Sequence, residues 1–301
     1  MSVCLVAVAL LTVGGSEIAS QPKGAASQPI RQIDHIMIRT GTPQELYAFF
    51  TETLELPVAW PITSPRAGVV TGGVGFGNVN VEAIQFPGQA DSRPRLVGLA
   101  FEPSGLEESL SELNRRGITP GERRPLTAVA PDGSKNTLWT NVTLRQFSDA
   151  DNPANATLHI FLSEYSRSYV NVDERRSRLR KQLLEQSGGP LGVVDVKEVI
   201  IGARDLEMAR RLWQRLLDPA HSAASNTWDV GNGPAIRLVS ATEDRIQTLV
   251  IHVASLDRAR AFLREKQLLG AESDGHAAID PRKVGGLDIR LVGKAANNRM
   301  K

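Results

Sequence analysis

The residues able to do chemistry are few. The chain of 301 residues holds five histidines and one cysteine, Cys4. A single cysteine excludes a disulfide framework, a zinc–cysteine site and a CxxC redox pair, so any metal must rest on His, Asp and Glu. His35 lies inside an apolar strand, IRQIDHIMIRT, residues 30–40. Strict alternation puts Ile33, His35 and Met37 on one face and Ile36 and Ile38 on the other, and both faces read as buried. An imidazole there is either a hydrogen-bonded core residue or a ligand. His159 sits in a second such strand, TLHIFLSEY. His221 follows LLDPA in an expected loop, His252 lies in IQTLVIHV, and His276 falls in a Gly/Asp-rich turn. These three read as structural or solvent-facing.

The elements that position these residues recur four times in the order strand, helix, further strands. Copy one opens at Ile33. Thr42, Pro43 and Glu45 in TPQEL announce its helix as a capping box with proline at the first position. Strands follow in PVAWPIT, AGVVTGGVGFGN and VNVEAIQF. Copy two opens at RLVGLAFEP, with Ser104 and Glu107 as its capping box, and closes with TLWTNVTLRQF and TLHIFLSEY. Copy three runs from VVDVKEVIIG through a helix beginning near Asp205 to AIRLVSA. Copy four runs from IQTLVIHV, through a helix capped by Ser255, to GLDIRLVG. Between copies two and three lies NVDERRSRLRKQLLEQSGGPLG, charged and ending in a Gly-Gly-Pro break. Its cationic run, Arg175 to Lys181, reads as a solvated connector helix. The glycines of GGVGFGN do not stand between a strand and a helix start, as a phosphate cradle requires, and read as bends of a curved sheet.

The formal net charge is +2 and aromatics make up 5% of the chain, which argues against nucleic acid as a partner. The apolar run from Val3 to Val13 is too short to span a bilayer. It resembles the core of a secretory signal, with cleavage after Ser20 or Ser27, and implies export to a periplasmic or secreted location. The chain remains cytoplasmic if this segment is no signal. Asn141 and Asn155 open N-x-T triplets that matter only in a eukaryotic secretory route. The expected organisation is a signal-like segment and tether at 1–29, a first domain at 30–166, a connector at 167–192, a second domain at 193–295 and a tail at 296–301.

IDHIMIR at the start of the first copy, VNVEAIQF at its end, and ETLELPVAW followed by GGVGFGNVNVEAI resemble the vicinal oxygen chelate superfamily. That group includes glyoxalase I, extradiol dioxygenases and bleomycin-binding proteins. The resemblance implies an α+β fold of four βαβββ modules, paired into two glyoxalase-like half-barrel domains. It places ligands on the first and last strands of each module, which gives His35 and Glu82 in copy one, and Gly98 and His159 in copy two. His35, Glu82 and His159 become a metal triad for Fe, Mn, Zn or Ni, with Glu82 or Glu164 as a base. The equivalent slots of the second half, Glu198, Arg237, Thr248 and Arg290, carry two arginines that repel a cation. That half reads as a structural partner or a pocket for something anionic.

Two function classes follow. One is Lewis-acid chemistry on a small oxygen-rich substrate, of lyase, isomerase or dioxygenase type. The other is metal-free binding or sequestration of a small molecule, as in the bleomycin-resistance type. Trp60, Phe76 and Trp139 could line such a cavity or pack a core. A monomer or homodimer, without stable membrane insertion, fits either class.

Overall fold

The computed structural model of the chain describes residues 28–90, 92–130, 132–218 and 226–294. The signal-like run, Cys4, His221 and the 296–301 tail lie outside these residues. Apolar alternation produces two sheets, one in each half. The first contains β1 (Ile30–Arg39), β2 (Val58–Arg66), β3 (Val69–Gly75), β4 (Asn80–Gln85), β5 (Arg95–Pro103), β6 (Pro120–Val129), β7 (Lys135–Leu144) and β8 (His159–Tyr165), in the order β2-β3-β4-β1-β5-β8-β7-β6. The second contains β9 (Val193–Ala203), β10 (Thr227–Trp228), β11 (Ala235–Ser240), β12 (Arg245–Val253), β13 (Leu269–Ser273), β14 (His276–Ile279) and β15 (Asp288–Gly293), in the order β10-β11-β9-β12-β15-β14-β13.

Each sheet has the same plan. Two opening strands pair antiparallel at the centre, β1 with β5 and β9 with β12, and each pairs parallel with the closing strand of its own module. The result is an α+β fold of paired modules, each sheet curled into a half-barrel. The third module shows three strands among the described residues, β9, β10 and β11, where the others show four.

Among the described residues five α-helices accompany the sheets: α1 (Pro43–Ala48), α2 (Leu106–Arg115), α3 (Val172–Glu185), α4 (Leu206–Leu217) and α5 (Leu256–Glu265). Asp205 and Ser255 cap α4 and α5 through their side chains, as their sequences indicate. The capping boxes expected for the first two helices do not form. Thr42 makes no side-chain cap, and Gly105 rather than Ser104 starts α2. No helix among the described residues is long and apolar enough to cross a membrane.

One apolar core runs through both halves on the helix side of the sheets. Phe101 and Phe147 meet Trp213 of α4 at ring distances of 6.3 and 5.0 Å. The Asn78 amide joins the sheets by donating to and accepting from the Val196 backbone, both at 2.9 Å. Phe76 belongs to this core, 5.6 Å from Phe50, and lines no site. A second cluster fills the concave side of the first sheet: Met37, Val69, Ile84, Phe86, Val97, Ala100 and Phe161. The loop before β8 closes over that end. Arg39 donates to the carbonyls of Ala154 at 2.7 Å and Ala156 at 2.9 Å, holding Ala154 against the cluster.

Candidate functional site

The concave face of the first half-barrel owes its composition to a bulge. The β1–β5 register slips between Ile33 and His35, so Asp34 is the extra residue. Strict alternation would leave Ile33 beside His35. Instead Ile33 joins Ile36 and Ile38 in the main core, and Met37 faces the concave cluster. Asp34 lies beside His35, with its Oδ2 2.8 Å from His35 Nδ1.

From there a buried network spreads across four elements. Arg175 of α3 donates from Nη2 to Asp34 Oδ1 at 2.6 Å, and the Tyr165 hydroxyl of β8 donates to Asp34 Oδ2 at 3.1 Å. The other nitrogen of His35, Nε2, faces Glu82 Oε2 of β4 at 3.4 Å. Thr71 of β3 donates to Glu82 Oε1 at 2.5 Å. The Trp60 ring stands edge-on to His35 at 6.1 Å. The Arg175 guanidinium carbon lies 5.7 Å from the Trp60 ring and 5.0 Å from the Tyr165 ring, within cation–π range.

These groups set one another's protonation. Burial pushes the Asp34 carboxyl up, but Arg175 and His35 outweigh it and hold the group well below the usual carboxylate range. Burial works against a charged His35, yet its bond to Asp34 and the nearby Glu82 raise it above its ordinary value. Tyr165 is raised by burial and by Asp34, so its hydroxyl stays protonated and donates to Asp34.

The register decides which expected ligands meet. His35 pairs with Asn80, and Glu82 lies two residues further along β4. Gly98, at the His35 position of copy two, pairs with His159 itself. The residue matching Glu82 is therefore two further on, Phe161, and His159 matches Asn80. His159 shares a face with Phe161 and stands two residues before the position that matches Glu82. Phe161 lies beside both imidazoles, 5.8 Å from His35 and 5.0 Å from His159 by ring centroid. His159 is 4% exposed, its Nδ1 has no hydrogen-bond partner, and burial lowers its pKa to about 4. Among the described residues no three His, Cys, Asp or Glu side chains gather as a metal-binding set.

Glu164 is also relocated. Its neighbours Ile160 and Leu162 face the main core, and its Oε1 accepts from the Leu106 backbone N–H at 2.8 Å. It caps α2 on the far side of the sheet from His35. This bond replaces the capping box expected from Ser104 and Glu107.

Sequence reasoning missed Asp34, Thr71, Tyr165 and Arg175. The connector helix was expected to be solvated, but Arg175, Leu179 and Leu183 are buried along one of its faces. Spacing of four residues between these three was the available signal. Leu179 packs where Gly75 leaves no side chain, with a Cβ-to-Cβ approach of 3.2 Å for any residue built there.

The second half-barrel keeps the same positions with different contents. Glu198 pairs with Ala235, and Arg237 follows two residues later; Thr248 pairs with Asp288, and Arg290 follows likewise. Arg237 forks onto Glu198 at 2.8 and 3.0 Å. Arg290 forks onto Asp288 at 3.1 and 2.7 Å. Each of these arginines is paired with a carboxylate of its own module. His252 holds Asp195 at 2.7 Å and His276 holds Ser273 at 2.7 Å.

No protein-family model matches the chain. One curated relative, the aspartate carbamoyltransferase catalytic subunit of Chlorobium phaeovibrioides, is 29% identical over 159 residues. That match covers 48% of this chain and 46% of the other, so the chain spans about half the length of the curated relative it matches. Among solved structures, a hypothetical protein from Staphylococcus aureus aligns over 87% of this chain and 99% of its own, with TM-score 0.57 and 10% identity. Homoprotocatechuate 2,3-dioxygenase from Arthrobacter globiformis aligns over 94% and 86%, with TM-score 0.55 and 12% identity. A mutant 4-hydroxymandelate synthase from Streptomyces coelicolor aligns over 89% and 94%, with TM-score 0.54 and 13% identity. At such identities the likeness is one of fold.

Proposed function

We propose that the chain is a small-molecule-binding protein whose N-terminal half-barrel holds its ligand without a three-ligand metal centre. One observation carries this reading. Of the four strand positions on which the resemblance builds a centre, two are Gly98 and Phe161, and Arg175 pairs with Asp34, the carboxylate that holds the His35 ring. A site of two protein donors next to a fixed cation does not suit zinc or iron(II), which such centres hold with at least three protein ligands. The residues present therefore do not fit the metal that the resemblance implies. They fit a polar and aromatic site in which Asp34, His35, Glu82 and Tyr165 offer fixed donors and acceptors against the rings of Trp60 and Phe161.

Metal analysis of the purified chain beside His35→Ala tests this. The expected result is substoichiometric Fe, Mn, Zn and Ni in both. About one ion per chain, lost in the variant, would overturn it.

A single contact favours the rival reading of Lewis-acid chemistry, of lyase, isomerase or dioxygenase type. His35 turns Nε2 toward Glu82 while Asp34 holds Nδ1, as outer carboxylates do for metal-bound imidazoles. That reading needs a third protein donor, which the register does not supply.

A further inference from the structure

The binding reading leaves the ligand class open, and the walls of the site bear on it. We propose that Asp34, Trp60 and Tyr165 form a recognition box for a guanidinium- or ammonium-bearing small molecule, and that Arg175 fills the box as an internal stand-in for that ligand. The proposal rests on the binding reading above and deepens it.

The charge of the walls is the first argument. The sheet contributes two buried carboxylates, Asp34 and Glu82, with side chains 1% and 11% exposed. An anion entering here would face both. A planar, weakly hydrated cation is matched by the carboxylates at its edge and by aromatic faces on either side. Arg175 shows that match: one bond to Asp34 at 2.6 Å, with Trp60 and Tyr165 within 5.7 and 5.0 Å.

The origin of the cation is the second argument. Every wall residue belongs to the sheet: Asp34 on β1, Trp60 on β2, Tyr165 on β8 and Glu82 on β4. Arg175 alone comes from outside both sheets, on the connector helix α3. The polar ties holding that end of the helix include one at the surface and one half-buried. Arg31 to Asp173 is 2.5 Å with side chains 47% and 59% exposed, and Arg176 to Glu102 is 2.7 Å with 22% and 11%. A groove of about 870 Å³ runs between β2 and the outer turns of α3, lined by Ala59 and Pro61 on either side of Trp60 and by Arg178 and Gln182. The groove flanks the helix that carries Arg175.

The test has two arms and uses the full chain. In the first, thermal unfolding of Arg175→Ala is followed with millimolar methylguanidinium chloride against matched potassium chloride. The variant is expected to melt lower than the wild type and to regain several degrees, saturably. Asp34→Asn in the same background should abolish the gain. In the second, hydrogen exchange of the wild type is followed as agmatine is raised. Amides of α3, residues 172–185, should exchange faster while those of α4 and α5 do not change. This arm decides alone if Arg175→Ala does not fold.

Rescue of the variant without displacement of α3 in the wild type would make Arg175 a structural plug and overturn the proposal. Stabilisation of the variant by benzoate or catechol, but not by methylguanidinium, would overturn the cation class and leave the binding reading standing. No stabilisation by any of the three would sink both.

Discussion

The two half-barrels share a strand plan and a register, yet they handle buried charge in opposite ways. In the N-terminal one the ions are drawn inside: Asp34 and Arg175 have side chains 1% and 9% exposed. In the C-terminal one the equivalent face pairs Arg237 with Glu198 and Arg290 with Asp288, and the arginines are 37% and 46% exposed. The contrast follows from what covers each face. α3 and the loop before β8 lie over the first. The second carries its own forked pairs, each formed within the sheet and reachable by water. One fold can thus build a dry, high-stakes network and a wet, forgiving one from the same slots. A charge pair out of water is held by few partners, and losing one is costly. A pair at the surface is screened and contributes little.

Truncating the two arginines is the sharpest way to break this comparison. Arg175→Ala leaves Asp34 buried with its main counter-ion gone, and the expected loss is about 3–5 kcal/mol in urea unfolding. Arg237→Ala should cost under about 1 kcal/mol. Equal losses would mean that the two faces are equally dry. Replacing both members of the inner pair, Asp34→Asn with Arg175→Met, should cost less than the sum of the single changes, because no unpaired charge is left behind.

A smaller effect separates two histidines within the first half-barrel. His35 is raised in the folded chain, so its contribution is complete below the unfolded value of about 6.5 and fades as pH rises through its folded value. His159 is lowered to about 4 by burial, so its contribution is complete above about 6.5 and fades as pH falls toward 4. Stability measured against pH should therefore lose its acid-side slope between those values in His159→Phe and keep it in His35→Gln. Loss of that slope in His35→Gln alone would reverse the assignments.

The fold and one edge of the site were legible in the sequence for a simple reason. Modules that repeat strand, helix and closing strand leave the same apolar pattern each time, and His35 and Glu82 sit at recurring places in it. Three features hid the rest. The bulge at Asp34 breaks the two-residue period, so a residue read as facing away turns toward His35. Aligning VNVEAIQF with ATLHIFLS by their apolar residues leaves a two-residue slip, which keeps the face and loses the row; His159 was placed in that way. Arg175 stands in a cationic run whose Arg178, Arg180 and Lys181 do face solvent, and only Leu179 and Leu183 at four-residue intervals distinguish its side of the helix.

Gly98 offers a further test of how the halves diverged. A Cβ there would stand 2.9 Å from the His159 carbonyl oxygen and 3.4 Å from Met37 Cβ. Backbone cannot yield as a side-chain tip can, so Gly98→Ala is expected to cost about 1–3 kcal/mol through overpacking. The corresponding residue of the second sheet is Thr248, whose hydroxyl donates to Asp288 at 2.7 Å. Thr248→Ala should cost about 1 kcal/mol, one hydrogen bond. A tolerated Gly98→Ala would show that this position could have carried a ligand.

The smallest expected change concerns Glu164, which faces the helix side of β8 while Glu82 of β4 faces His35. If Glu164 serves only to satisfy the first N–H of α2, Glu164→Gln keeps an oxygen able to accept that bond, and the loss should be a few tenths of a kcal/mol. Glu164→Ala removes the cap and the charge near the helix start, for about 1 kcal/mol. Neither change should move the titration of His35, because the carboxylate lies across the sheet from it. Glu82→Gln should move it downward, since the charge that helps raise His35 is removed. Following the His35 ring proton shifts by NMR in the three variants would decide the matter. A downward shift in Glu164→Gln comparable to that in Glu82→Gln would place both carboxylates on the concave side, and the division of β8 into a capping face and a site face would fail.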